Sequence, residues 1–307
     1  MVLNFKETYE INDLTIPKNI DYISDIHGDY YFITHTISID DIKNNDIENF
    51  FNLIRLNSFN QDNKILIISG DISENNELTI KILNVLKKFY KYIVFIIGNH
   101  DIFITNRIEE DDYENNSLLK FEELKRKCKD LENIYLLDGG IITINGVSIG
   151  GTMGWYDGSY IYKYKNQYYQ YNDKRINKDW LTYIDGRKIR GIKMFNEYFE
   201  YELEKLKYLV SNSNIVTTHF MPTNNQKHFN PMYLQKIYES MNQYFCFNGI
   251  DKLEDEINEK LKHWIYGHSH DGIDYEYKNI RVVNNCIGSW VESNMGKNSK
   301  FKEIIID

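Results

Sequence analysis

The chain is predicted to have an α/β fold. Two observations favour it: short, nearly continuous apolar runs typical of buried strands, and longer segments between them with the apolar spacing of helices. The 307 residues suffice to bury most of the apolar surface, in one large domain or two small ones. A composition of 42% hydrophobic and 26% charged residues is that of a globular protein.

The predicted strands and helices alternate along the chain. Buried strands are predicted at residues 20–24, 64–69, 92–97, 215–218 and 263–266. Helices are predicted at residues 47–56, 78–89, 121–131 and 195–210. A hairpin with a type I′ turn is predicted at 141–150, and further strands at 273–285 and 302–306. Because sites in α/β sheets form beyond the carboxyl ends of strands, polar residues there are the first functional candidates.

Five short segments rich in Asp, Asn, Gly and His follow these strands. In order, they are Asp25-Ile-His27-Gly-Asp29, Gly70-Asp71, Gly98-Asn99-His100-Asp101, His219-Phe-Met-Pro222 and Gly267-His268-Ser-His270. Carboxylates and neutral imidazoles are the usual protein ligands of catalytic divalent transition metals. Their placement at the ends of separate strands predicts one site assembled in space, and therefore a metal-dependent hydrolase.

The segments resemble the pattern of the calcineurin-like metallophosphoesterase superfamily, which reads D-x-H, GD, GNH-D/E, H and GH-x-H. All five blocks occur in the correct order over residues 25–270, so the resemblance spans most of the chain. It implies a four-layer α/β/β/α sandwich, with residues 1–307 forming a single domain. The implied reaction is hydrolysis of a phosphodiester or phosphomonoester by hydroxide bound to two divalent metal ions, which would be Mn²⁺, Fe or Zn²⁺.

The resemblance also assigns the ligands of both metal ions. The ligands of the first ion would be Asp25, His27, Asp71 and His270. Those of the second would be Asp71, Asn99, His219 and His268, so that Asp71 bridges the two ions. Each residue also has an ordinary structural explanation, such as a turn residue for Asp71 or a loop cap for Asn99. The occurrence of all five blocks in order favours the metal site.

Two further residues receive catalytic roles from the resemblance. His100 would contact the phosphate and protonate the leaving oxygen, a task suited to an imidazole that titrates near neutrality. Asp101 would accept a hydrogen bond from the far ring nitrogen of His100 and fix its tautomer. Asp29 could support the ligands from behind or be the N-cap of a helix that begins at Tyr30, and the cap is favoured. The remaining histidines, His35, His228 and His263, match no block and are expected to be structural.

The chain departs from the serine/threonine phosphatase branch of the superfamily. That branch has an arginine in the second block and another after the third. Here the second block continues to Glu74 and Asn75, and Ile102 follows Asp101. A protein phosphatase and a diadenosine tetraphosphatase are therefore disfavoured, and the blocks look closer to those of bacterial-type phosphoesterases.

Residues 151–200 form a Tyr-rich, basic tract that is predicted to be a cap-like insertion. The tract holds nine basic and six acidic residues, although the whole chain has a net charge of −9. Ten Trp or Tyr residues lie between Trp155 and Tyr183. Aromatic rings among cations suit stacking on a nucleobase. The alternative is a partly exposed cap in a chain that is rich in Tyr throughout.

The net charge of −9 disfavours general nucleic-acid binding and favours a small or nucleotide-like substrate. A metal-dependent nuclease remains an alternative if the 151–200 tract supplies a basic groove. A non-catalytic interaction scaffold is a second alternative, but such relatives usually lose metal ligands. Three widely spaced cysteines indicate no disulfide framework, and no signal segment or membrane-length apolar run is present, so a cytoplasmic protein is expected.

Overall fold

Two β-sheets and their flanking helices make up the structure, a computed structural model that describes residues 6–13, 19–33, 38–56, 65–164, 173–192, 194–229, 242–270, 272–288 and 302–305. The strands are β1 (Thr8–Ile11), β2 (Asn19–Ile23), β3 (Ile65–Ser69), β4 (Tyr92–Ile96), β5 (Ile134–Leu136), β6 (Gly140–Ile144), β7 (Val147–Gly151), β8 (Ile215–Thr217), β9 (His263–Tyr266), β10 (Asp274–Tyr277), β11 (Ile280–Asn284) and β12 (Lys302–Ile305). The helices are α1 (Gly28–Phe32), α2 (Asn44–Leu56), α3 (Asn76–Leu86), α4 (Arg107–Asp112), α5 (Ser117–Lys129), α6 (Ser159–Tyr164), α7 (Asp173–Trp180), α8 (Ile184–Lys188), α9 (Phe195–Asn212) and α10 (Gly249–Lys252). A short 3-10 helix covers His100–Ile102.

Both sheets are mixed. The five-stranded sheet has the order β12-β2-β3-β4-β5. Strands β2 to β5 are parallel to one another, and β12 is antiparallel to β2. The seven-stranded sheet has the order β1-β6-β7-β8-β9-β11-β10, with antiparallel pairs at β6–β7 and β10–β11. The parallel strands β7, β8, β9 and β11 lie at its centre. Carboxyl ends of neighbouring parallel strands therefore meet at one edge of each sheet.

The apolar interior explains why the strands read as continuous hydrophobic runs. Ile65 and Ile67 of β3 share one buried cluster with Ile142 and Ile215 of the other sheet, and this cluster lies between the two sheets. The alternating residues Leu66 and Ile68 belong instead to the cluster shared with the helices. Since successive side chains of a strand point to opposite faces, a strand covered on both faces is apolar throughout.

Helices cover the outer face of each sheet. On one side, α2, α3 and α5 pack in succession, with α5 against β5; on the other, α9 packs against β7. The predicted four-layer α/β/β/α sandwich is confirmed. Asn75 and Asn116 cap α3 and α5 by accepting the N–H groups of Leu78 and Leu118, both at 3.0 Å. These polar caps explain why both helices begin before their predicted apolar starts.

Most predicted element boundaries agree with the structure within a few residues. The hairpin of β6 and β7 is confirmed, because Asn145 and Gly146 have φ angles of 51° and 84°, as a type I′ turn requires. The predicted C-terminal strands correspond to β10, β11 and β12. His35 lies outside the described residues. Across the described ranges, no helix is both long and apolar enough to cross a membrane.

The aromatic residues of the 151–200 tract are largely internal. Trp155, Tyr156, Tyr160 and Trp180 have no more than a trace of exposed surface, and Tyr183 stacks on Tyr244 with ring centroids 4.2 Å apart. The four buried rings are not free to stack on a nucleobase, so that hypothesis loses four of its ten residues, whereas Tyr162 is exposed. Of the remaining tyrosines, Tyr168, Tyr169 and Tyr171 lie outside the described residues.

Candidate metal centre

The candidate centre forms where the carboxyl ends of the two sheets meet. Asp25, Asp71 and Asn99 lie two or three residues beyond the ends of β2, β3 and β4 in one sheet. His219 and His268 lie two residues beyond the ends of β8 and β9 in the other. Contacts between β3 and β8 help to join the sheets at this edge. The hydroxyls of Ser69 and Thr217 lie 2.8 Å apart, and Nδ1 of His219 lies 2.8 Å from the carbonyl oxygen of Ser69. The structure therefore brings all seven predicted ligands into one region.

Left-handed backbone conformations are concentrated among these residues. The residues with positive φ at the centre are Asp25 (51°), His27 (45°), Asp71 (55°), His268 (65°) and His270 (45°). Asp and His adopt this region more readily than most residues, but each case costs free energy that the surrounding fold must offset. These sharp turns bring the side chains of Asp25 and His27, and of His268 and His270, towards the same region.

The first group of side chains consists of Asp25, His27 and His270. Nε2 of His27 lies 3.0 Å from Nε2 of His270, and Oδ1 of Asp25 lies 3.3 Å from the latter nitrogen. Both oxygens of Asp25 accept the backbone N–H of His268, at 3.0 and 2.9 Å, so the loop that carries the histidines is tied to the carboxylate. The ligand atoms of the three residues lie within 4.8 Å of one another.

The second group consists of Asp71, Asn99, His219 and His268. Nε2 of His219 lies at its centre, 2.9 Å from Oδ1 of Asn99, 3.2 Å from Oδ2 of Asp71 and 3.2 Å from Nδ1 of His268. Asp71, His219 and His268 also place their ligand atoms within 4.8 Å of one another. The geometry permits a third grouping of His27, Asp71 and His100, although the sequence predicts no ligand role for His100.

Asp71 lies between the two groups. Its Oδ2 is 3.7 Å from Nε2 of His27 and 3.2 Å from Nε2 of His219. Its other oxygen, Oδ1, accepts the backbone N–H of His100 at 2.9 Å. Apart from these two ring nitrogens, whose protonation depends on the tautomer, the described residues offer Oδ2 no hydrogen-bond donor. Burial of a carboxylate oxygen without a donor or a cation costs free energy. Oδ2 of Asp71 faces nitrogen atoms of both groups.

The donor set fits divalent metal ions. The carbonyl of Ser69 can only accept, so Nδ1 of His219 carries a proton and its Nε2 is left as the ligand atom. That nitrogen is surrounded by the oxygens of Asn99 and Asp71, an arrangement that needs a positive charge among them. Burial opposes protonation, but the charges of Asp71 and Asp25 outweigh it and raise the pKa of His219 to about 9. A metal ion would supply the same charge.

Three other ligand candidates, His27, His268 and Asp71, have the protonation states that metal binding requires. Burial and the neighbouring His100 lower the pKa of His27 to about 3, and burial and His219 hold the pKa of His268 well below its ordinary value. Burial alone would raise the pKa of Asp71, but the nearby His219 and His100 hold it well below its usual range. Neutral imidazoles and ionised carboxylates are the forms that bind metal.

Glu74, rather than Asp101, is the partner of His100. Nδ1 of His100 lies 2.9 Å from Oε1 of Glu74, and Nζ of Lys188 lies 3.3 Å from both oxygens of Glu74. Burial disfavours the imidazolium, but Asp71 and Glu74 outweigh burial and raise the pKa of His100. The expectation that Asp101 orients His100 is therefore corrected. The sequence signal for Glu74 was its place in the second block, three residues after Asp71.

Asp101 instead organises the backbone of two blocks. Oδ2 of this buried carboxylate accepts the N–H groups of Asp71 and Gly98, at 2.8 and 2.7 Å. Its Oδ1 accepts those of Ile72 and Ser73, at 3.0 and 3.2 Å. The side chain of Asp101 points back into the loop because its own backbone turns into the short 3-10 helix. Burial and the charge of Asp71 raise the pKa of Asp101 to about 7.

The prediction for Asp29 is also wrong. α1 begins at Gly28, its N-cap is His27, and Asp29 lies inside the first turn. Oδ1 of Asp29 accepts the backbone N–H of Glu74 at 3.0 Å. The left-handed conformation of His27 starts the helix two residues earlier than expected, which directs Asp29 towards the loop that carries Glu74. His228, in contrast, stacks on Tyr275 with centroids 3.9 Å apart, as expected of a structural histidine.

Glycine at position 98 makes the close approach of these loops possible. A Cβ atom there would lie 2.2 Å from Oδ1 of Asp71 and 2.6 Å from the ring of His219. Gly70 has a φ angle of 88°, and a Cβ atom there would lie 2.6 Å from Nδ1 of His219. Any side chain at these positions would separate Asp71 from His219.

One contact of the centre had no sequence signal. Nδ2 of Asn99 donates to Oδ1 of Asp185 at 2.9 Å, across 86 residues of sequence. Asp185 belongs to α8 in the 151–200 tract and is fully buried. Burial raises the pKa of Asp185 to about 6, although nearby His100 and the hydrogen bonds from Asn99 and Tyr156 favour the carboxylate.

Comparisons with known proteins agree with the fold. A family model described as calcineurin-like phosphoesterase matches residues 18–272. An uncharacterized protein of Acanthamoeba polyphaga mimivirus is 26% identical over 237 residues, which cover 75% of this chain and 80% of that protein. The structure of phosphopantetheinyl hydrolase (PptH) from Mycobacterium tuberculosis is similar, with a TM-score of 0.66 at 15% identity, and the match covers 94% of this chain and 96% of that one. All seven candidate ligands lie within the matched residues.

Proposed function

Because this chain belongs to the calcineurin-like phosphoesterase family, we propose that it hydrolyses a small phosphoester at a centre that holds two divalent metal ions. The position of Asp71 carries the proposal. Its buried Oδ2 faces Nε2 of His27 on one side and Nε2 of His219 on the other, at 3.7 and 3.2 Å. A bridging carboxylate between two metal ions has this arrangement.

The two proposed ion sites share Asp71 and otherwise use separate ligands. The first set comprises Asp25, His27 and His270; the second comprises Asn99, His219 and His268. When bound, two such ions neutralise phosphoryl oxygens and lower the pKa of a coordinated water. Mixed carboxylate, amide and imidazole sites accept several metals, and Mn²⁺, Fe and Zn²⁺ are the candidates.

His100 is the proposed general acid. Glu74 can only accept a hydrogen bond when ionised, so Nδ1 of His100 carries the proton in their contact and Nε2 is the nitrogen available to the leaving oxygen. The His100 ring lies edge-on to that of His27, with centroids 4.7 Å apart, which places it beside the first metal site. Asp101 supports this arrangement through the backbone rather than by contact with His100.

A small or nucleotide-like ester is the proposed substrate class. The net charge of −9 repels long polyanions, and the cations of the 151–200 tract nearest the centre are partly neutralised, as Lys188 is by Glu74. The structural relative from M. tuberculosis is named a phosphopantetheinyl hydrolase, so esters of that kind belong in a substrate screen.

All three cysteines are free thiols, which supports a reducing, cytoplasmic compartment.

The proposal is tested with chelator-stripped protein and the substrates p-nitrophenyl phosphate and bis-p-nitrophenyl phosphate. We expect turnover only after Mn²⁺ is restored, and its loss in Asp71→Asn. Asp111→Asn, an exposed carboxylate on α4, is the matched control and should retain wild-type turnover. Metal-independent hydrolysis, or full activity of Asp71→Asn, would contradict the proposal. The preferred ester distinguishes a monoesterase from a diesterase.

The two alternatives have separate signatures. A nuclease that uses the 151–200 tract as a basic groove would bind DNA or RNA with an affinity that falls steeply with salt. A non-catalytic scaffold would bind metal without turnover on any ester in the screen.

A further inference from the structure

The buried carboxylate of Asp185 contacts the side-chain amide of Asn99, one of the candidate metal ligands. Asn99 donates to Asp185 through Nδ2 at 2.9 Å, while its Oδ1 lies 2.9 Å from Nε2 of His219 at the proposed second metal site. We propose that Asp185 is a positioning residue that fixes which end of the Asn99 amide faces the metal centre. This inference rests on the proposed function, because it assigns a metal-facing end to Asn99.

An amide group is nearly symmetric in shape but not in chemistry. Its oxygen can bind a metal ion, whereas its NH₂ group is a donor and cannot. A carboxylate accepts hydrogen bonds and never donates when ionised, so only the NH₂ end of Asn99 can face Asp185. The opposite orientation would place the amide oxygen against the carboxylate and the NH₂ group against the metal centre. Loss of a charge-assisted hydrogen bond and oxygen–oxygen repulsion both disfavour it.

A second hydrogen bond holds Asp185 itself in place. Its Oδ2 accepts from the hydroxyl of Tyr156 at 3.1 Å, and Nε1 of Trp180 donates to the same hydroxyl. Asp185, Tyr156 and Trp180 have essentially no exposed surface. Each polar atom along this chain of contacts has a partner, which is the condition under which a buried carboxylate is tolerated.

Close packing and backbone hydrogen bonds also hold α8, which carries Asp185, in place. A Cβ atom at Gly186 would lie 2.1 Å from the carbonyl oxygen of Trp180, so glycine lets α8 pack directly on the end of α7. The carbonyl of Lys188 accepts the N–H of Ile104 at 2.9 Å, and that of Arg190 accepts the N–H of Ser117 at 3.1 Å. The 151–200 tract therefore reaches the centre through a rigid contact with Asn99.

The test measures metal binding by calorimetric titration of chelator-stripped protein with Mn²⁺, so its readout does not depend on turnover. Asp185→Asn is close to isosteric but can donate as well as accept, so it removes the orientational preference. We expect one of the two ions to bind roughly 10- to 100-fold more weakly, the usual effect of losing a residue that orients a ligand. Asp179→Asn, on α7 of the same tract, should bind both ions as the wild type does.

A double-mutant comparison separates orientation from general structural support. In Asn99→Asp the ligand has two equivalent oxygens, so its orientation needs no control, and its charge is repelled by Asp185. Adding Asp185→Asn to that variant should therefore strengthen Mn²⁺ binding, whereas it weakens binding in the wild-type background. Unchanged affinity in Asp185→Asn alone, or the same loss in both backgrounds, would overturn the inference. Failure of the wild type to bind Mn²⁺ would instead refute the proposed function.

Discussion

His100 and Glu74 are joined by a 2.9 Å contact between Nδ1 and Oε1, and this pair lies beside the cluster of candidate metal ligands. Glu74 is in turn held from three directions. Asp29 accepts its backbone N–H at 3.0 Å, the buried ammonium of Lys120 donates to its carbonyl at 2.6 Å, and Lys188 faces its carboxylate. The position of the carboxylate, and with it that of the His100 ring, is thereby fixed by several elements.

Glu74→Gln tests the role of this contact. The amide keeps the shape of the side chain but removes the charge that favours a proton on Nδ1 of His100. We expect kcat to fall by roughly 10- to 100-fold, with KM and metal content little changed. Steady-state kinetics with metal analysis checks this, and Glu77→Gln, an exposed glutamate on α3, is the control. A wild-type kcat in Glu74→Gln would show that Glu74 does not act through His100.

His100→Ala separates a general acid from a metal ligand. The third grouping, His27, Asp71 and His100, makes ligation by His100 geometrically feasible. If His100 only transfers a proton, the variant should retain its metal content and lose about 10²- to 10⁴-fold in kcat. Elemental analysis of the reloaded variant gives the answer. Loss of one metal ion per chain would assign His100 to the ligand set instead.

Asp101→Ala is expected to affect folding as well as turnover. Four backbone N–H groups, from Asp71, Ile72, Ser73 and Gly98, would lose their acceptor. Each unsatisfied buried donor costs about 1–3 kcal/mol, so the metal-free variant should unfold at a clearly lower temperature. Thermal unfolding in chelator measures this, with Asp112→Ala on the exposed end of α4 as control. An unchanged unfolding temperature with reduced turnover would restore the purely catalytic role first expected of Asp101.

Asp138 provides a pH-dependent contribution to stability through ion pairs with Lys125 and Lys205. Burial alone would raise the pKa of Asp138. The ion pairs with Lys205 and Lys125 outweigh burial and lower this pKa. A carboxyl group whose pKa is lower in the folded state stabilises the fold above its unfolded pKa of about 3.9, and this contribution is lost as pH falls through the folded value.

Asp138→Asn should therefore destabilise the protein at pH 7, by about 1.5–3 kcal/mol for a charged hydrogen bond, and by progressively less below pH 4. Denaturant unfolding of variant and wild type across this pH range measures the difference. Glu122→Gln, which removes an exposed partner of the same Lys125, should have little effect at any pH. A cost for Asp138→Asn that stays constant down to acid pH would contradict this account.

The sequence could predict the strands and the residues at their ends, because burial on both faces makes a strand apolar and because the site lies at strand termini. It could not predict which carboxylate pairs with which group. Asp101 is adjacent to His100, yet the turn at His100–Ile102 directs its side chain to backbone donors, and Glu74 takes the expected role. Such choices depend on local φ and ψ angles that composition and spacing do not specify.

The contribution of the 151–200 tract could not be read from its composition either. Its aromatic residues suggested a surface for stacking, but Trp155, Tyr156 and Trp180 are buried. Met153 accepts the backbone N–H of His219 at 2.8 Å, and the side chain of Asp185 accepts from Asn99. No local pattern marks this aspartate among its neighbours. Contacts between residues so distant in sequence follow from packing of the whole fold.

The central claim is that Asp71 lies between two metal ions. An anomalous difference map from crystals soaked in Mn²⁺ tests it directly. We expect two peaks, one among Asp25, His27 and His270 and the other among Asn99, His219 and His268, with Oδ2 of Asp71 between them. A single peak, no peak, or two peaks that Asp71 does not bridge would contradict the account.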